Sequence, residues 1–271
     1  MSTGTAANAL SATVAGIGFW ADGLPDWAAA RAFAIDGTRP ESAPSRPSPQ
    51  LLAPNERRRA PGSVAVALDV AQAACRDADI APETLPSVFA STHGDLGITD
   101  YMCDTLATDP TAISPTKFHN SVHNAAAGYW TIGTGCTEAT TAISAYDATF
   151  AQGLIEAMMQ LATGTPAVLL VAYDTASTGL LGTVTHSEGL LGAALVLTRD
   201  GAGPRLSATL RDGTDLDLPG PLGIHAQANA MAQMLPLFDA LASGGARAVL
   251  RAGPHRSLSV AIDGARADAH P

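Results

Sequence analysis

Ala167-Val-Leu-Leu-Val-Ala172 is an almost unbroken aliphatic run of strand length. A strand with one wet face alternates apolar and polar residues. A run that is apolar at every position belongs to a strand covered on both faces, as at the centre of a parallel or mixed sheet. Just upstream, Asp147 to Leu161 places Phe150, Leu154, Ala157, Met158 and Leu161 on one helical face, and Gly164 ends that helix. Downstream, Gly192-Ala-Ala-Leu-Val-Leu197 and Arg205 to Arg211 read as further strands. Further upstream, Leu85-Pro-Ser-Val-Phe-Ala-Ser91 is a second buried strand that closes on His93-Gly94-Asp95, a stretch suited equally to a tight turn or a pocket wall. Ile98 to Ala107 follows as a helix, Phe118 to His123 as a polar loop bearing histidines, Ala125 to Thr134 as a helix without charges, and Thr140 to Ala145 as a short β-prone run. Strands alternating with helices place the chain in the α/β class.

The flanks carry thinner signals. Thr13 to Phe19 is a β-type run containing glycines, and Leu24 to Phe33 has the length of a short helix. Thr38 to Pro54 holds Pro40, Pro44, Pro47, Pro49 and Pro54, which exclude helix and central strand and predict an extended surface loop. Pro61 to Asp77 spaces Val64, Leu68, Ala71 and Cys75 as a helix, with Arg57, Arg58 and Arg59 ahead of it as a solvated basic face. Ala226 to Leu241 predicts one more helix with Met231, Met234, Leu235 and Phe238 on a packing stripe, followed by short strands at Ala248 to Leu250 and Ser257 to Ile262.

The chain has 271 residues, 46% hydrophobic and only 15% charged. This composition suits a large buried core and excludes a disordered chain. The net charge of -10 arises from 25 acidic against 15 basic residues, Lys117 being the one lysine, so nucleic acid is not an expected partner. So few charges leave apolar surface for a partner to cover. Cys75, Cys103 and Cys136 form no CxxC pair and no disulfide framework, which fits a reducing cytoplasm. The first 21 residues lack both a basic start and a continuous apolar run, so neither a signal peptide nor a membrane span is expected there. His119 and His123 have helical metal-ligand spacing, but no third ligand accompanies them, and Gly133-Thr-Gly135 is no phosphate loop. No metal or cofactor is expected.

Four segments carry a family resemblance: Ser87-Val-Phe-Ala-Ser-Thr-His-Gly-Asp95, Ser114-Pro-Thr-Lys-Phe-His-Asn-Ser-Val-His-Asn-Ala-Ala-Ala-Gly-Tyr-Trp-Thr-Ile132, Ala142-Ile-Ser-Ala145 and Leu169-Leu-Val-Ala-Tyr-Asp174. The stretch from Leu85 to Asp174 resembles the N-terminal half of a β-ketoacyl synthase, a thiolase-fold condensing enzyme. More narrowly, it resembles the chain length factor subunits that accompany ketosynthases in bacterial aryl polyene biosynthesis. The resemblance implies a thiolase-like N-terminal βαβαβαββ half over residues 1–211, with a reduced C-terminal remnant, 212–271, packed on the same core.

A ketosynthase needs a thiolate at the start of a buried helix. When Ala127-Gly-Tyr-Trp-Thr-Ile132 and the Val168 strand are set on their family counterparts, the intervening 35 residues fit without a gap and the nucleophile slot falls on Asp147. Cys136, in Thr-Gly-Cys-Thr, looks superficially like the family's cysteine motif, but using it demands a shift of 11 residues and leaves it before the strand. A carboxylate offers no soft nucleophile; at a helix start Asp147 is expected to cap. The family's two catalytic histidines belong to the C-terminal half, and none of His186, His225, His255 or His270 has that context. The resemblance therefore implies a non-catalytic partner of a cysteine-bearing ketosynthase, meeting acyl carrier protein through that heterodimer. By carry-over, Phe118, Ser121, Val122, Ala125 and Tyr129 line or end the partner's channel. The alternative is a stand-alone acyl-thioester transferase or malonyl decarboxylase using Cys136 or Asp147.

Overall fold

The computed structural model describes residues 9–264; His270 and the outer ends of the two expected segments lie outside the described residues. In chain order the elements are β1 (Leu10–Ala21), α1 (Trp27–Asp36), α2 (Pro54–Arg59), α3 (Gly62–Ala78), β2 (Ser87–Ala90), α4 (Leu96–Thr108), α5 (Pro115–Asn120), α6 (Ala125–Thr134), β3 (Thr140–Ile143), α7 (Thr149–Ala162), β4 (Ala167–Asp174), β5 (Leu191–Thr198), β6 (Arg205–Asp212), α8 (Pro221–His225), α9 (Leu235–Ser243), β7 (Arg247–Gly253) and β8 (Arg256–Asp263).

The strands form one mixed sheet in the order β3-β2-β4-β5-β1-β6-β8-β7. β2 runs parallel to both β3 and β4, and the remaining pairs are antiparallel. Helices cover both faces. Along β4 the side chains alternate between two cores: Val168, Leu170 and Ala172 pack with α7, while Leu169, Val171 and Tyr173 pack on the side of α3 and α6. This is the two-faced burial that the aliphatic run predicts. The strands after residue 211 extend the same sheet, and Leu237, Phe238 and Leu241 of α9 join the α7-side core.

Several local expectations are corrected. Asp26 accepts from Ala29 N at 2.8 Å and caps α1, so this helix starts three residues later than Leu24. The arginine run forms its own short helix, α2, started by Pro54 at the end of the proline-rich segment. Phe118 to His123 is not simply a loop: Ser114 caps and Pro115 starts α5, which runs through Asn120. Ala226 to Leu241 is broken, because Asn229 caps a tight 3-10 turn over Ala230–Met234 before α9 begins at Leu235.

Candidate functional site

The parallel pairing aligns the carboxyl ends of β2, β3 and β4, opposing Ala90 to Ile143 and to Ala172. In open α/β sheets this is the edge at which loops build sites. Asp174, the last residue of β4, is fully buried there. Its carboxylate accepts from Ser91 Oγ (2.7 Å), Thr92 N (3.0 Å) and His93 N (3.3 Å). Ser91 Oγ in turn accepts from Gly94 N at 2.8 Å, closing the turn in which Gly94 takes a φ of 68°. Asp95 then caps α4 by accepting from Ile98 N at 3.0 Å. His123 Nε2 lies 2.8 Å from Ser91 O and donates to it, which assigns this ring a backbone partner. The His93 ring meets Thr185 Oγ1 and lies edge-on to Tyr146 with centroids 6.3 Å apart.

Burial raises the Asp174 carboxyl above the ordinary aspartate range, against hydrogen bonds from Thr92 and Ser91. Burial also lowers His93, opposed by the nearby Asp174 and reinforced by His123. The cluster is thus a braced carboxyl beside an imidazole held toward its neutral form, with each Asp174 oxygen already engaged.

Asp147 lies in the 3-10 turn Tyr146–Ala148 just ahead of α7, and Tyr146 adopts a left-handed φ of 54°. The expected capping role is corrected. Thr149 Oγ1 accepts from Ala145 N (2.9 Å), and Gln233 Oε1 accepts from Phe150 N (3.2 Å), while Ala148, at the cap position itself, supplies no side-chain bond. With Gln233 serving the helix start and Thr149 bracing the turn ahead of it, the Asp147 carboxylate faces Arg251 of β7, Oδ2 to Nε 3.4 Å. The pair edges a cleft of about 270 Å³ walled by Gln233, Pro236, Val249 and Leu216. Both partners are well exposed, so Asp147→Ala should change unfolding free energy by less than about 1 kcal/mol in a urea titration.

Cys136 is buried, with Sγ 3.5 Å from Leu85 O. Leu85 precedes β2, whereas the Asp174 cluster follows it, so the length of the strand separates the two, about 13 Å at 3.3 Å per residue. Burial pushes Cys75 up to about 12, and Cys103 is exposed on α4. No cysteine among the described residues stands at the carboxyl ends of β2, β3 and β4. His119 stacks edge-on to Tyr129 at 5.7 Å, and among the described residues no His, Cys, Asp and Glu group has metal-binding geometry.

The carried-over channel residues lie on α5, α6 and the turn between them. Phe118 and Val122 are 60% and 48% exposed; Ser121, Ala125 and Tyr129 are half-buried. Ile132, which sequence reasoning passed over inside an uncharged helix, is 81% exposed on α6. β3 is an edge strand, paired on one side by β2 alone. An unpaired edge beside exposed aromatic and aliphatic side chains is a surface suited to another chain.

Residues 26–257 match the family described as β-ketoacyl synthase, N-terminal domain. The chain belongs to that family. Solved structures agree in fold. The chain aligns with TM-score 0.73 and 23% identity to a chain of the ketosynthase (ApeO) in complex with its chain length factor (ApeC) from Xenorhabdus doucetiae, covering 93% of this chain and 99% of that one. A chain of the ishigamide ketosynthase/chain length factor aligns with TM-score 0.68 at 14% identity, covering 93% and 98%. The AntDE:AntF structure, a type II PKS acyl-carrier protein in complex with its ketosynthase bound to the hexaketide, gives TM-score 0.69 at 12%, covering 94% and 99%. No curated protein matches the chain.

As a β-ketoacyl synthase-like chain it has the thiolase-like ketosynthase fold, and no helix among its described residues is long and apolar enough to cross a membrane. The sequence flagged Asp147 and the α5–α6 residues, but not Asp174, Gln233 or Arg251. Asp174 ends an apolar strand, where a lone polar residue is a recognisable signal. Gln233 and Arg251 reach the site only through the return of the chain.

Proposed function

We propose that this chain is a chain length factor: a non-catalytic β-ketoacyl synthase-like subunit that pairs with a cysteine-bearing ketosynthase in aryl polyene biosynthesis, and meets acyl carrier protein through that heterodimer. The observation that supports the reading is the carboxylate of Asp147, engaged with Arg251 in the turn ahead of α7, the position that the sequence resemblance assigns to the family's nucleophile. A carboxylate attacking a thioester would give an anhydride, which cannot sustain condensation. The open edge of β3 and the exposed Phe118, Val122 and Ile132 further support an obligate interface. The role left to such a subunit is steric: a growing apolar chain stops where it meets a wall, and the side chains of that wall set product length. The low charge of the chain agrees with a surface that a partner covers.

Co-expression with its ketosynthase should give a heterodimer on size-exclusion chromatography, and omission of this chain should abolish elongation by the partner. Phe118→Ala in the complex should lengthen or broaden the product distribution measured by mass spectrometry. The isolated chain incubated with acyl-carrier thioesters should gain no acyl mass. An adduct on Cys136 or Asp147, or normal elongation without this chain, would defeat the reading.

A further inference from the structure

Residues 213–220 join β6 to α8 and run past β7, the last strand of the sheet. Both ends of this segment are anchored. Gly213, with a φ of 109°, donates its N–H to His255 O at 3.0 Å. Gly220 lies against Asp239, whose carboxylate accepts from Leu222 N (2.9 Å) and Gly223 N (3.1 Å). Between the anchors every residue is exposed except Asp217, which is half-buried. Among the described residues, Asp217 alone ties 214–219 to the rest of the chain by hydrogen bonds: Oδ1 accepts from Arg247 Nη2 at 3.2 Å, and Oδ2 accepts from Val249 N at 3.0 Å. Val249 N is an outward donor of the edge strand, so the carboxylate stands where a further strand would pair.

The segment also separates two clefts. Leu216, Asp217 and Pro219 wall the Asp147 cleft, while Asp215, Leu216 and Asp217 wall a neighbouring cleft of about 510 Å³ that reaches Ser257 and Ser259 of β8. Val249 lines both. Leu218, set among the wall residues, is 91% exposed and adds no packing. Ordering 214–219 costs backbone entropy at every residue, and what opposes that cost is one exposed ion pair and one hydrogen bond to the backbone. A segment so weakly held opens locally while the rest of the fold stays closed. We propose that residues 213–220 form a strap latched by the single side chain of Asp217, which lifts as a unit about its two glycine ends and joins the Asp147 cleft to its neighbour. Both contacts rest on one carboxylate, so they break together, and lifting opens the way to Val249 and to the Asp147–Arg251 pair. The latch is a property of this chain alone and does not depend on a ketosynthase partner.

Two rates measured on the full chain read the opening. One is amide hydrogen exchange at Val249; the other is labelling, by a bulky maleimide, of a thiol placed in the cleft by Ala232→Cys. Cys103→Ser removes the exposed native thiol, and Cys75 and Cys136 are buried. Asp217→Ala should raise both rates at least about tenfold. Exchange at Ala248 and Leu250, whose strand pairs with β8, should stay unchanged. Asp217→Asn keeps an acceptor for Val249 N and should give a smaller rise. Asp215→Asn, on the same strap but outside the latch, should change neither rate. Unchanged rates in Asp217→Ala would overturn the latch. Faster exchange at Val249 with unchanged labelling would reduce Asp217 to a cap on the edge strand and overturn the strap. An equal rise from Asp215→Asn, or a matching rise at Ala248 and Leu250, would assign the effect to general loosening and overturn it as well.

Discussion

Asp174→Ala is expected to destabilise the chain by about 3–5 kcal/mol, a large share of the ~5–15 kcal/mol that holds a typical domain together. The side chain is the common acceptor for Ser91 Oγ and for the backbone N–H groups of Thr92 and His93. Each buried donor left without an acceptor costs about 1–3 kcal/mol. The same change loosens the Ser91 hydroxyl that accepts from Gly94 N, and with it the turn that leads into α4. Asp174→Asn keeps one carbonyl acceptor and should lose less, so the pair of variants separates the acceptor role from the charge. The pH dependence has a definite sign. Burial raises the folded-state pKa of Asp174 above its ordinary 3.8, so the folded chain binds this proton more readily than the unfolded chain. The associated stability is fully present below the ordinary value and is lost as pH rises through the folded-state value. Relative to wild type, Asp174→Asn should therefore gain stability with rising pH across that window. Comparison with wild type at each pH cancels Asp69 and Asp239, which burial raises in the same direction. Urea unfolding followed by circular dichroism at several pH values measures both effects; an Ala variant as stable as wild type would show that the cluster does not brace the fold.

Gly18→Ala is expected to cost about 3 kcal/mol or more, although it adds a single methyl group. A Cβ at Gly18 would stand 2.0 Å from Val70 O, and one at Gly16 would stand 2.3 Å from Ala74 O. These are backbone atoms of α3, which cannot swing aside as a side chain can. On the same face, a Cβ at Gly192 would meet Val66 Cγ2 at 2.6 Å. Three glycines on neighbouring strands thus form a shallow floor on which α3 lies directly against the sheet, and a methyl group there lifts the helix and opens voids along its length. Gly128 of α6 is the matched control. Nothing lies within 4 Å of a Cβ at that position, so Gly128→Ala should be neutral or stabilising by up to about 1 kcal/mol through helix propensity. Thermal and urea unfolding of the two variants side by side gives the contrast; equal stabilities would refute the close-packing account.

The α/β class and most elements near the middle of the chain were legible because burial writes itself into local period. β4 shows apolar residues at every position, and α7 shows them on one helical face. Element ends were less legible where polar caps decide them: Asp26, Ser114 and Asn229 each shifted a boundary or broke a helix that apolar spacing alone would have continued. The candidate site was legible in part. Alignment of family segments placed Asp147 at a helix start, and the structure puts it in the turn before α7. What its carboxylate does there was misread as capping, because Gln233 accepts from Phe150 N at the helix start and Arg251 takes the carboxylate.

By itself, then, the sequence determined the alternation of strands and helices and the two-faced burial of the central strand. Each is written in residues close along the chain. Only the tertiary structure decided how β6, β8 and β7 continue the sheet, which donors brace Asp174 from 81 to 83 positions away, and how Gln233 reaches Thr92 across 141 positions. The physical reason is that a period of two or 3.6 residues reports which face of an element is buried, but not which distant element buries it. Hydrogen bonds between residues so far apart exist only once the chain has closed on itself, and a single sequence carries no local mark of that closure.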